Sequence, residues 1–329
     1  MNLPFSLSER AKTNLRRFVL YPLWFLFCFV TFAYCTFPYD RVRDRIEDEV
    51  ERAMPGAELD IVDLSPSWIT GVELTGVSLT LPAEEEGERP TALTLTTVTA
   101  RVGLLDLIGG TTSVGFYAEL GGGGTIEGRY SDGETSTQVQ AHLVDVALQR
   151  IGPLRRYVQL PIAGTLGGDI DVTIADEAAN TEGQVTLTIA GLSVGDGRAR
   201  LEIPGMRGTG ITVEQLNAGD LNLRMQIERG VGRVQQLTSS SDDLELRGAG
   251  TVRLLRPLRM SNVDVILRFE IKQPYRERND RTRAIFTMVD MAPDVRAYRA
   301  PDGAFQLRVA GSFGSSIRAS GAGNATLAQ

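Results

Sequence analysis

The sequence predicts a mainly β protein. One N-terminal transmembrane helix and a membrane-exit helix are followed by a curved antiparallel β-sheet or sandwich of about twelve strands. Three observations predict this. A run of twenty residues without charge stands at Phe18 to Phe37. From residue 57 onward, apolar and polar residues alternate with a period of two, and clusters of Gly, Asp and Ser punctuate the alternating runs.

Composition narrows the function classes. With 329 residues, of which 42% are hydrophobic, the chain has enough apolar material for a packed core, so general disorder is excluded. Lys+Arg number 34 against 41 Asp+Glu, a net charge of −7, which argues against nucleic acid as a partner. The 2 cysteines cannot build a disulfide scaffold, and the single histidine, His142, excludes His-rich metal or haem sites.

Residues 1–17 read as a cytoplasmic tail and residues 18–37 as the anchor. At about 1.5 Å per residue that apolar run spans roughly 30 Å of hydrocarbon. Tyr21 and Trp24 at one end and Tyr34 and Tyr39 at the other suit the headgroup level. Arg10, Lys12, Arg16 and Arg17 precede the run opposed only by Glu9, whereas Arg41, Arg43, Arg45 and Arg52 follow it interleaved with carboxylates. The expected topology is N-terminus in, C-terminus out, single-pass in a bacterial inner membrane. A cleaved signal is disfavoured because the apolar run is too long and no small-x-small site follows; Cys35 stands where a lipoprotein signal would have its cysteine, but bulky Tyr34 precedes it. Cys28 and Cys35, seven residues apart, share a helix face and read as apolar filling.

Residues 40–54 read as the exit helix. Val42, Ile46, Val50 and Ala53 form a stripe, Arg43/Glu47, Arg45/Glu49 and Asp48/Arg52 pair at i, i+4, and Pro55-Gly56 ends the helix. It is expected against the membrane surface or the base of the next domain.

Residues 57–329 read as a periplasmic β domain. In Val72, Leu74, then Val77, Leu79, Leu81, the parity slips at Gly76, which predicts a bulge. Strands follow at Ile170/Val172/Ile174, Val185/Leu187/Ile189, Leu221 to Ile227, Leu244 to Leu254, Val263 to Ile271 and Phe305 to Phe313. Turns are expected at Glu84 to Pro90, Gly121 to Gly124, Ser131 to Gly133, Gly195 to Gly197, Ser239 to Asp243 and Arg276 to Arg283, and a short helix at Ala147 to Tyr157.

Catalytic constellations do not emerge. Gly121 to Gly124 lacks the Lys-Ser/Thr and helix of a phosphate loop. Asp169/Asp171 fall on the polar face of a strand and Asp242/Asp243 in a Ser-rich turn, and both pairs read as solvated carboxylates rather than a glycosidase or Ca²⁺ site. His142 is read as having no Ser or Cys motif to serve. No catalytic, cofactor-binding or metal-ligating residue is therefore assigned. Arg276 to Arg283, RERNDRTR, reads as a solvated loop, with contact to anionic lipid or an acidic partner as the alternative.

The membrane exit Phe37-Pro38-Tyr39-Asp40, the segment Ser65 to Pro82, the stretch Leu160 to Ile174 and the Leu244 to Ile271 hairpins with Arg256-Pro257-Leu258 resemble the type II secretion system protein N family. The W-x-x-G-V-x-L-x-x-V-x-L pattern at Trp68 to Leu79 is also similar to the start of AsmA-type envelope proteins. The first resemblance implies a non-enzymatic accessory component acting through contacts with other secretion-system components, without a cofactor. The second implies lipid binding or lipid transfer in a curved sheet. A closed sandwich core would favour the first and an open groove the second. The Leu, Val and Ile of the strand faces, Leu244, Leu246, Val265 and Leu267 among them, read as a packed core.

Overall fold

The computed structural model describes residues 16–36, 38–54, 56–68, 70–82, 90–103, 106, 110–152, 154, 160–201, 211–291, 293–313 and 317–323. The predicted turn over residues 84–89 and most of the tail lie outside these.

Arg16–Leu20 form a π-helical turn that leads into an α-helix, Tyr21–Thr36, of 16 residues. That α-helix is about 24 Å long at 1.5 Å per residue. Among the described residues no helix is long and apolar enough to cross a membrane. The expected span is thus helical but not established as a span. Its side chains Phe18, Leu23, Trp24, Phe25 and Phe29 are exposed, as is the free thiol of Cys28, while the side chain of Cys35 lies outside the described residues.

The exit helix is Tyr39–Ala53, within a residue of expectation. Its apolar stripe does lie on the base of the β domain. Tyr39, Val42 and Ile46 pack against Ile61, Leu64, Leu74 and Val77. Glu47 Oε1 also accepts the backbone N–H of Ile61 at 3.3 Å, which covers part of a free sheet edge.

The strands are β1 (Glu58–Ser67), β2 (Gly71–Leu81), β3 (Thr91–Val102), β4 (Thr112–Leu120), β5 (Thr125–Asp132), β6 (Ser136–Ala147), β7 (Ile162–Ala175), β8 (Glu182–Val194), β9 (Arg200–Leu201), β10 (Ile211–Thr212), β11 (Leu216–Glu228), β12 (Val231–Ser240), β13 (Leu244–Arg253), β14 (Asn262–Ile271), β15 (Phe305–Ser312) and β16 (Ile317–Gly321). Fourteen of them form one antiparallel sheet in chain order, β1 to β8 and then β11 to β16, while β9 and β10 make a separate small hairpin. Among the described residues no second sheet covers the first, and β16 does not pair with β1. The sandwich alternative is therefore corrected to a single open meander, with more strands than the expected twelve. Period-two patterning specifies one covered face; it is the same for a sandwich strand and for an open sheet.

Local expectations divide. The bulge expected at Gly76 is absent: pairing runs on without a register shift, Ile61 facing Val77 and Asp63 facing Thr75, and the change of buried parity from Leu74 to Val77 is carried by the backbone of Gly76 at φ +63°. The glycines Gly121 to Gly124 turn β4 into β5. Gly124, at φ +95°, would place a Cβ 2.5 Å from the Asp145 carbonyl oxygen. Of the helix expected over Ala147 to Tyr157, Ala147 ends β6, Leu148–Arg150 form a 3₁₀ turn, Gly152 and Leu154 are also 3₁₀, and the rest of its second half lies outside the described residues. The loop expected at Arg276 to Arg283 is instead helical, Gln273–Arg276 and then Asp280–Met291. Asn279 Oδ1 accepts the Thr282 N–H at 2.9 Å while Thr282 Oγ1 accepts the Asn279 N–H at 3.1 Å, a reciprocal cap that starts the second helix.

Candidate functional site

Hydrogen-bond register joins apolar residues into rows that run across strands. Val102, Val114, Tyr130, Val139 and Val172 are successive partners from β3 to β7, and Gly183, Ile227, Gly232, Val252, Val263 and Gly311 carry the row on to Ile317 in β16. A second row runs Ala100, Phe116, Gly128, Ala141, Ile170, Val185 and Met225. Across the stagger of 14 strands at ~4.8 Å each, this face extends roughly 60 Å.

The face is apolar and, among the described residues, uncovered over most of its breadth. The exit helix shields only its first strands. In β3 to β5 the residues Leu95, Val98, Ala100, Phe116, Ala118 and Ile126 are only half-buried, and Tyr130 is 42% exposed. Of the four residues expected to line a closed core, Leu244 is buried, but Leu246, Val265 and Leu267 are half-buried. A sheet packed on both faces would leave such positions dry. The packed-core reading is corrected accordingly.

One end of the face is closed. Leu254, just beyond β13, packs with Val172, Ile174, Val185 and Ile227 from three other strands. Arg256 then reaches across the curl: Nη1 donates to Asp176 Oδ1 and the Glu134 carbonyl, both at 3.2 Å, and Nη2 to Asp132 Oδ1 and the Gly133 carbonyl, both at 3.1 Å. The turns β5–β6 and β7–β8 are thereby tied to the end of β13, so the apolar face lies inside that curl.

The opposite face is polar. His142 Nδ1 lies 2.6 Å from Asp169 Oδ1, and Gln140 donates to Asp171 at 3.4 Å. The sequence reading placed the two aspartates correctly on the polar face but missed that β6–β7 register supplies His142 with a carboxylate. It also missed that Gly191-Leu192-Ser193-Val194-Gly195 has the G-x-S-x-G spacing. Ser193 sits within β8 rather than at a strand-to-helix elbow, and its Oγ accepts from Gln215 Nε2 at 3.3 Å, so that spacing here does not build a nucleophile. Near the C-terminal edge, Arg308 holds the Asp264 carboxyl below the usual carboxylate range through two hydrogen bonds of 2.7 Å.

Asp243 is not the solvated turn carboxylate that its Ser-rich setting suggested, whereas Asp242 is exposed. The Asp243 side chain is 6% exposed and accepts two hydrogen bonds from Arg278, at 2.6 and 2.7 Å, and one from the Asn217 N–H at 2.9 Å. Arg278 also donates to the Gln215 carbonyl at 2.7 Å and lies 4.8 Å over the Tyr275 ring. Burial pushes the Tyr275 phenol up to about 12, and its hydroxyl donates to the Glu214 carbonyl at 2.7 Å. This cluster staples the segment after β14 to the start of β11; it is structural. Among the described residues no group of His, Cys, Asp and Glu could hold a metal ion. Comparison with protein families, with curated proteins and with solved structures gives no match.

Proposed function

We propose that this protein is a non-catalytic envelope protein that holds the acyl chains of lipids on its open apolar face, anchored through Phe18 to Phe37. Of the two functions that the resemblances imply, lipid handling and secretion-system scaffolding, the first is the better supported. The observation that carries it is the second apolar row, in which Ala100, Phe116, Ala141, Ile170 and Met225 are only half-buried and have no covering layer among the described residues. Each methylene laid on such a surface gains about 0.8 kcal/mol, so acyl chains several carbons long would be retained while headgroups stay in water. The closed end at Leu254 and Arg256 would stop a chain from sliding out on that side.

The test uses the full chain purified from membranes, with extraction and mass spectrometry of bound lipid. Phe116→Asp and Leu246→Asp place a carboxylate on the half-buried face, where water can still reach it. Both variants are expected to keep the parent's β circular dichroism and to lose its lipid. A parent free of lipid, or variants that unfold as a closed core would, overturns the proposal and returns the scaffold reading.

A further inference from the structure

The polar face carries a hollow that lipid binding leaves unused. Between β3 and β8 the register aligns Arg101, Gly115, Arg129, Gln140, Asp171 and Gln184 in one row. Beside it stand Tyr117, Glu127, His142 and Asp169. Together they line a concavity of about 1120 Å³, just above the roughly 300–1,000 Å³ range of ligand clefts. Gly115 leaves a notch at the register position between Arg101, whose guanidinium donates to Ser67 Oγ at 3.4 Å, and Arg129: a Cβ there would meet nothing nearer than 3.9 Å.

The chemistry of the lining selects a ligand class. Arg101 and Arg129 face Glu127, Asp169 and Asp171, so the charges nearly cancel, and neither a phosphate nor a polyanion would be favoured. Asp169 and Asp171 are tied to His142 and Gln140, and the acids form no metal cluster among the described residues. What remains is a dense set of planar donors and acceptors around one phenol ring, Tyr117, which is 38% exposed. An extended peptide would take its main-chain hydrogen bonds from a sheet edge, and this hollow lies on strands already paired on both sides. We infer that the hollow binds a neutral oligosaccharide, with a sugar ring on Tyr117 and hydroxyl groups held by Arg101, Arg129, Gln140 and Asp171.

The probe is a panel of neutral glucose and N-acetylglucosamine oligomers, titrated into the full chain in detergent and followed by calorimetry and saturation-transfer NMR. One oligomer is expected to bind saturably. Gly115→Leu, which fills the notch from a position free of backbone strain, and Tyr117→Ala, which trims an exposed ring, should each weaken it about tenfold or more, leaving thermal unfolding and bound lipid unchanged. If Gly115→Leu fails to fold, Tyr117→Ala alone decides. Absence of saturable binding, parental affinity in Tyr117→Ala or in a folded Gly115→Leu, or equal competition by an extended peptide would overturn the inference.

Discussion

Replacing Arg278 by alanine removes both hydrogen bonds that its guanidinium donates to Asp243, whose side chain is only 6% exposed. The carboxylate keeps one donor, the Asn217 N–H at 2.9 Å. Stranding a fully buried charge costs about 3–5 kcal/mol, and since Arg278 itself is 39% exposed, water can enter the space it leaves and reduce this to about 2–3 kcal/mol. In a protein of this size that corresponds to a fall in Tm of roughly 3–5 °C. Asp243→Ala should cost less, about 1–2 kcal/mol, because the freed guanidinium can swing toward solvent and only the Asn217 N–H is left unpaired. The double variant should cost less than the sum of the two, with a coupling of about 1–2 kcal/mol. Urea and thermal unfolding of the four proteins by far-ultraviolet circular dichroism measure all three quantities. A loss under about 0.5 kcal/mol for Arg278→Ala, or strict additivity in the double variant, would refute the role of this pair as the staple between β11 and the segment after β14.

Two further outcomes are expected. Because burial raises the Tyr275 phenol from 10.0 to about 12, folding favours its neutral form, so its contribution is whole below pH 10 and is lost as pH rises toward 12; phenolate absorbance should show one late ionisation, missing in Tyr275→Phe. Arg256→Ala removes ties to both Asp132 and Asp176, and should cost about 1–2 kcal/mol while hydrogen exchange quickens at the β5–β6, β7–β8 and β13–β14 turns together; quickening at one turn only would show that the curl does not depend on Arg256.

Much of the strand content was legible because one-sided alternation runs through the strands, whereas the parity change at Gly76 pointed to a bulge that the register does not contain. What the alternation could not tell was whether a second layer covers the apolar side, since a Leu or Val on a strand looks the same beneath a second sheet or beneath an acyl chain. Asp243 was misread because its partner lies 35 residues away, beyond the turn that composition describes. The helix from Asp280 hid behind its charges: RERNDRTR reads as loop until Asn279 and Thr282 are seen as a reciprocal cap. His142 and Asp169, 27 residues apart, meet only through register, which no single run encodes.

The chain-order meander has a consequence for how such a molecule can be lengthened. Each strand of the large sheet is bonded only to its chain neighbours, apart from the jump over the small β9–β10 hairpin, so pairing is local and strands are added like rungs. Removing or duplicating two successive strands would keep the antiparallel order and return every side chain to its former face, provided the register is kept. The breadth of the apolar surface is then set by the count of hairpins, and reach can change in steps of about 10 Å without a new fold.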